Sequence, residues 1–254
     1  MEYLQALPLS AWLVAPLAVF AGYLVFGIGG FGATIVMVPL LAHFMPIKFV
    51  VPLTLLLDSL AAVLLRANKG GVGASKTEIR WILPFMLVGM ASGTMILKFA
   101  PEFWLMLALG TFVFVYALFN LLGKKGAPGN IARWWGAPIS ALGGVGSAIF
   151  GTGGPIYVIY IARRIHDPGQ LRATMSSIIA VAVFVRLVIF SFAGLLLKPE
   201  LGWGWLFLCP FLALGLYTGM QLHSRMKPDD IRRSVYALLV VSGGSLVVRA
   251  LAGL

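Results

Sequence analysis

What most restricts the fold of this chain is the near absence of charge over long stretches. Apolar runs fall at roughly 9–26, 31–45, 49–65, 81–97 and 103–122, then at 135–150, 155–162, 173–197, 203–222 and 234–254. A helix crossing the hydrocarbon core of a bilayer needs about 20 residues, with about 17 as a lower limit. Charged residues are 11% of the 254 and hydrophobic ones 60%, whereas a soluble domain carries about 25% charge. A water-soluble fold of this size has no interior able to hide that much apolar sequence. The expectation is an all-α polytopic membrane protein with ten membrane-embedded helices.

Two of those runs are broken by the same device. Phe26-Gly27-Ile28-Gly29-Gly30-Phe31-Gly32 is matched downstream by Phe150-Gly151-Thr152-Gly153-Gly154-Pro155, and each copy follows a further glycine, Gly22 and Gly146. Glycine is costly inside a helix and serves where the backbone must turn, take positive φ or approach something closely. The arms beside these turns are short. They are either tilted full spans or half-helices that dip in and return as a hairpin.

The correspondence extends well beyond the glycines. Pro46 aligns with Pro168, which sets Pro52-Leu53-Thr54 against Thr174-Met175-Ser176. Trp81-Ile82-Leu83-Pro84-Phe85 aligns with Phe207-Leu208-Cys209-Pro210-Phe211, and Gly89 and Gly93 then fall on Gly215 and Gly219. A duplicated unit follows: a first repeat over 1–123, a linker over 124–133 and a second repeat over 134–254, with about five membrane-embedded helices in each.

The net charge of +11 resides in short loops between apolar runs, where cytoplasmic loops of membrane proteins collect Lys and Arg. It therefore gives topology and no reason to expect a nucleic-acid partner. Basic residues crowd the loop 66–80, the linker, and the loops 163–172 and 225–233, while Lys48, Lys98 and Lys198 stand alone in theirs. With 14 of the 19 basic residues on one side, equivalent loops of the two halves must face opposite ways. The repeats are expected to be inverted, with the linker inside and both termini outside. The start, Met1-Glu2-Tyr3, lacks the basic region of a cleavable signal, so the first run is expected to stay as a membrane segment.

Paired broken helices at corresponding places point to a carrier's binding site. A helix start at Gly153-Gly154, with Thr152 as N-cap and Pro155 in the first turn, would present N–H groups that attract anions. Asp58 and Arg186 lie within apolar runs, where charge is expensive and marks a functional candidate. They either pair with each other, as a structural or ion-coupling pair, or serve substrate. Close helix packing explains Gly89/Gly93 and Gly215/Gly219. His43, His166 and His223 lie at run ends and are expected in solvent, and Asn120, Gln221 and Arg249 at the interface. Ser147 follows Gly146 suggestively, but no histidine sits mid-run to serve an intramembrane protease. Cys209 is the one cysteine, which excludes internal disulfides and cysteine-cluster metal sites. No phosphate loop or metal-ligand spacing is present, and no metal or cofactor is expected.

The paired motifs, with Pro39-Leu40-Leu41 after the first and Leu171-Arg172-Ala173-Thr174-Met175-Ser176 after the second, give a sequence that resembles the sulfite exporter TauE/SafE family of membrane transporters. The first repeat departs from the family pattern in carrying Pro52 where small and hydroxyl residues are usual. The resemblance implies a carrier of sulfite, sulfonate, sulfoacetate or a related organic anion in a bacterial cytoplasmic (inner) membrane. The expected function is a secondary transporter, not an enzyme, working by alternating access on a small-molecule anion, with H+ or Na+ as coupling ion. Its expected substrate-binding residues are Gly27, Gly29, Gly30, Gly151, Thr152, Gly153, Gly154, Arg172, Thr174, Ser176 and Arg186. The competing readings are a passive anion channel, an intramembrane enzyme and a structural partner of another membrane complex.

Overall fold

The computed structural model describes residues 9–29, 32–67, 73–122, 129, 131–222 and 228–252. Ten α-helices are found among them: α1 (Leu9–Gly29), α2 (Ala33–Leu41), α3 (Ile47–Ala67), α4 (Lys76–Phe99), α5 (Glu102–Leu122), α6 (Gly136–Phe150), α7 (Gly154–Ile161), α8 (Pro168–Phe192), α9 (Pro199–Leu222) and α10 (Pro228–Ala252). A 3₁₀ turn, Arg133–Trp135, leads into α6. Six windows, one each in α1, α3, α4, α5, α8 and α9, are long and apolar enough to cross a membrane. Lipid has no groups to satisfy an open backbone, so helices that close their own hydrogen bonds are what such windows form. The chain is a multi-pass integral membrane protein. Phe192, Leu197 and Phe119 are among its most exposed large side chains, as a surface solvated by acyl chains allows.

Most helices begin before the apolar run does. Helix α8 starts at Pro168, with the Asp167 carboxylate accepting from the Gln170 N–H at 2.6 Å. Proline suits the first helical position because its missing N–H has no partner there. Helix α4 opens on Lys76-Thr77-Glu78, and α9 on Pro199-Glu200. Carboxylates in a first turn are favoured by the partial positive charge of the helix start. A count of apolar residues misses such polar first turns.

Two compact units are present. The first comprises residues 1–54, 99–125 and 198–254, and the second 55–98 and 126–197. Helix α3 therefore belongs to the first up to Thr54 and to the second from Leu55. In the first unit, α1 packs on α9 at backbone distance. A Cβ added at Gly215 would lie 2.5 Å from the Phe20 carbonyl oxygen, and one at Gly219 2.3 Å from that of Leu24. In the second unit α4 packs on α6 in the same way, with Gly89 and Gly93 against Ala141 and Val145. Both glycine pairs do the packing work expected of them.

Polar contacts tie the ends of each unit. In the second, the Thr174 hydroxyl oxygen accepts from the Ser75 N–H at 3.0 Å, and the Trp81 indole donates to the Arg133 carbonyl at 2.9 Å. Loops 73–75 and 131–135 and the start of α8 thus share one end. At the other, the Lys98 ammonium donates to the Ala193 carbonyl at 2.9 Å. In the first unit, the Glu102 carboxylate caps α3 by accepting from the Ile47 N–H.

One expectation is corrected here. His43 is half-buried rather than solvated: its ring meets the Pro39 carbonyl at 2.7 Å and the Ser245 hydroxyl at 3.1 Å. Arg249 donates to the His43 carbonyl just beyond the end of α2. Glu78, at the start of α4, is buried and accepts from Tyr160 at 2.8 Å and from Arg164 at 3.1 and 3.3 Å. The histidine His166 is exposed as expected, and His223 lies outside the described residues.

Candidate functional site

The two glycine breaks differ in construction. In the first, α1 runs on through Gly27 to Gly29, and Gly32 takes the left-handed conformation at φ 99° before α2. Gly27 sits inside α1, and a Cβ there would come within 2.7 Å of the Leu216 carbonyl oxygen on α9. Its lack of a side chain is explained by helix packing. Gly29 ends α1, and Gly30 lies outside the described residues. The arm that follows, α2, has nine residues, about 14 Å at 1.5 Å per residue, and is too short to span about 30 Å of hydrocarbon.

In the second break the left-handed residue is Gly151 itself, at φ 73°, which stops α6 at Phe150. Its N–H reaches the carbonyls of Ser147 and Gly146, and the N–H of Thr152 also reaches Gly146, at 3.4 Å. Helix α7 then starts at Gly154 with Pro155 in its first turn, as expected, and is eight residues long. The N-cap is Gly153 and no side chain caps it. Thr152 therefore does not play the capping role read from sequence. The wide hydrogen bonding that closes α6 engages its backbone one position too early, and its side chain is left buried, 2% exposed.

Arg186 of α8 comes to this junction. The guanidinium is 2% exposed and donates through Nη1 to the Ser147 carbonyl at 2.6 Å. Through Nη2 it meets the Asp58 carboxylate of α3 at 3.5 Å. A cation against the last carbonyls of a helix is favoured by the helix dipole, so Arg186 stabilises the broken end of α6 as well as pairing with Asp58. Asp58 and Arg186 thus lie within ion-pair distance of each other. Tyr157 of α7 completes the group. Its ring lies over Gly143 and Gly153, where an added Cβ would approach ring carbons at 2.3 and 2.8 Å. The ring and the Ser147 Cβ meet at Gly153, and the Ser147 carbonyl is the one Arg186 holds.

Sequence reasoning missed Tyr157. It sits in a run of aromatic and β-branched residues where nothing distinguishes it from Tyr160. The usable signal was the glycine pair at 143 and 153, which makes room for a ring. Arg172, Thr174 and Ser176 stand elsewhere. Thr174 and Arg186 are twelve positions apart on α8, about 18 Å along the axis, and Thr174 is engaged with Ser75. The structure thus brings together Gly151, Thr152, Gly153, Gly154, Arg186 and Asp58, and sets the residues at 172–176 at the far end of α8. Among the described residues there is no cluster of His, Cys, Asp and Glu suited to a metal.

Long apolar helices interrupted by glycine turns, with a paired arginine buried at one interruption, define a polytopic membrane protein of the broken-helix kind. Residues 14–246 match the model of the sulfite exporter TauE/SafE family, and the chain belongs to that family. It is a membrane transporter rather than an enzyme. Among curated proteins, it is 28% identical over 179 residues to the Probable inner membrane transporter protein TsaS of Comamonas testosteroni, covering 68% of this chain and 75% of that protein. No solved structure matches.

Proposed function

We propose that the chain is a secondary carrier of a small organic or sulfur-containing oxyanion, such as sulfite or a sulfonate, and that it resides in a bacterial inner membrane. The observation that carries this reading is the buried guanidinium of Arg186 at the junction of α6 and α7. The family and the transporter name of the relative support it.

The charge balance favours H+ as the coupling ion. Arg186 is offset by Asp58, and the partial negative end of α6 by the partial positive start of α7. As assembled, these four contributions sum to about zero. An arriving anion needs one more positive charge, and protonation of Asp58 supplies it without moving the arginine off Ser147.

Alternating access of two inverted repeats is the proposed movement. Helix lengths follow a similar order in each half: one of 21 or 15 residues, one of nine or eight, then three of 21 to 25. The α1–α9 contact through Gly215 and Gly219 corresponds to the α4–α6 contact through Gly89 and Gly93, as a duplicated unit would give. In this reading Arg172 and Ser176 belong to the path of approach on the basic side.

The test is purified protein in liposomes, offered sulfite, sulfonates and carboxylates under a pH gradient. Saturable uptake that exchanges labelled for unlabelled anion is expected. Flux that neither saturates nor exchanges would favour a passive channel, and selective movement of a cation would end the reading.

A further inference from the structure

Hydroxyl groups in this chain generally find a partner within their own helix. Thr54 donates to the Val51 carbonyl, Thr94 to Met90, Ser177 to Ala173 and Thr218 to Leu214, at 2.7–3.0 Å. That is the inexpensive solution for a hydroxyl in an apolar medium. Two hydroxyls at the α6–α7 junction depart from it. Thr152 Oγ1 and the Tyr157 phenol oxygen are buried, in residues 2% and 1% exposed, and neither has a hydrogen-bond partner among the described residues. The third such hydroxyl, Ser242, is on α10 in the other unit.

Leaving a buried donor unsatisfied is costly, and a native structure retains one for a reason. Thr152 is denied the usual solution because it lies between helices, its backbone held against Gly146. Tyr157 is denied it because its ring runs back past Gly153, the N-cap of its own helix, onto Gly143 of α6. That seat fixes the ring beside Ser147, whose Cβ flanks the same Gly153 and whose carbonyl is held by Arg186. Both donors are thus buried at the junction where Arg186 holds the end of α6.

We infer that the Tyr157 and Thr152 hydroxyls donate to separate oxygens of the carried anion while Arg186 supplies its counter-charge. This rests on the anion-carrier reading above and adds to it the groups that read the substrate. A two-point contact beside a guanidinium suits an anion with several oxygens, a sulfite or sulfonate, and gives a single-atom anion such as chloride much less. Tyr157 is a substrate-contacting residue on these terms.

The experiment measures binding by ligand-induced thermal shift on purified protein, using sulfite, methanesulfonate and chloride as probes, with Tyr157→Phe, Thr152→Val and Thr152→Ser. Phe and Val delete the hydroxyl and keep the volume. Each should weaken sulfite and methanesulfonate binding by roughly tenfold or more, the loss of a hydrogen bond to a charged group. Thr152→Ser should bind as the wild type does. The ligand-free melting temperature should stay level or rise in both deletions, because no protein partner is lost. A clear fall in that temperature, failure of Tyr157→Phe to fold, or unchanged sulfite affinity would overturn the inference while leaving the carrier reading in place. Wild-type protein that responds to neither sulfite nor methanesulfonate would instead remove the carrier reading itself, and this inference with it.

Discussion

Neutralising Arg186 and Asp58 separately and together tests whether their pairing is structural, functional or both. The partners are unequal. Arg186 holds the Ser147 carbonyl at 2.6 Å and is almost fully buried, whereas its contact with Asp58 is long, 3.5 Å, and the Asp58 side chain is 13% exposed. Asp58→Asn leaves the arginine its strong bond and a neutral acceptor nearby, and should cost about 1–2 kcal/mol. Arg186→Gln leaves a carboxylate uncompensated in an apolar setting and removes the cation from the end of α6. Removing one partner of a buried pair costs about 3–5 kcal/mol. The double variant leaves no charge behind, so its cost should fall short of the sum by about 1–3 kcal/mol, the usual coupling of contacting residues. At roughly 2–4 °C per kcal/mol for domains of 150–250 residues, Arg186→Gln should melt roughly 6–20 °C low and the double variant should recover part of that. Melting in detergent by fluorescence size-exclusion gives the stability series, and counterflow in liposomes gives function. Arg186→Gln should raise the half-saturating anion concentration whatever occupies position 58, while Asp58→Asn should still exchange anion but lose its response to a pH gradient. A double variant transporting with wild-type affinity would refute an anion site at Arg186. Equal melting of Arg186→Gln and the double variant would refute the coupling.

Gly89→Ala and Gly215→Ala should each separate a helix pair, because the added Cβ would meet backbone oxygen at 2.0 and 2.5 Å. Overpacking of this kind costs about 1–3 kcal/mol, so a drop in melting temperature without altered anion affinity is expected. Gly153→Val should now disrupt folding as well as transport, since its Cβ would lie 2.7 Å from the Gly143 carbonyl oxygen; a stable, inserted variant would contradict the packing described. Glu78→Ala leaves Arg164 and Tyr160 without their shared acceptor and should loosen the end of α4, read as faster proteolysis near residue 80. In a Cys209→Ser background, single cysteines replacing Lys76 and Lys227 should label from the cytoplasm and those replacing Lys98 and Lys198 from outside. Labelling of the first two from opposite faces would remove the inverted repeat.

The apolar runs determined most of what the backbone does. Helices in lipid must satisfy their own peptide groups, so run length and glycine position largely give ten helices and two breaks without knowledge of packing. The Gly89/Gly93 and Gly215/Gly219 pairs were legible for the same reason, since small residues at helical spacing have few other uses in a membrane. Asp58 and Arg186 announced themselves because a charge in an apolar run is too expensive to be incidental.

Tertiary structure alone decided what each glycine was for. Gly27 and Gly151 align, yet one packs against α9 and the other ends α6 in a left-handed turn, because a helix stops where its carbonyls find other donors, not where a motif is centred. It also decided that Arg186 rests on Ser147, that Arg172 and Thr174 stand about 21 and 18 Å along α8 from it, and that Tyr157 belongs beside it. Sequence gives distance along the chain. Which side chains share a hydrogen bond depends on how helices far apart in the chain come to lie side by side, and that is fixed by packing contacts which no single stretch encodes.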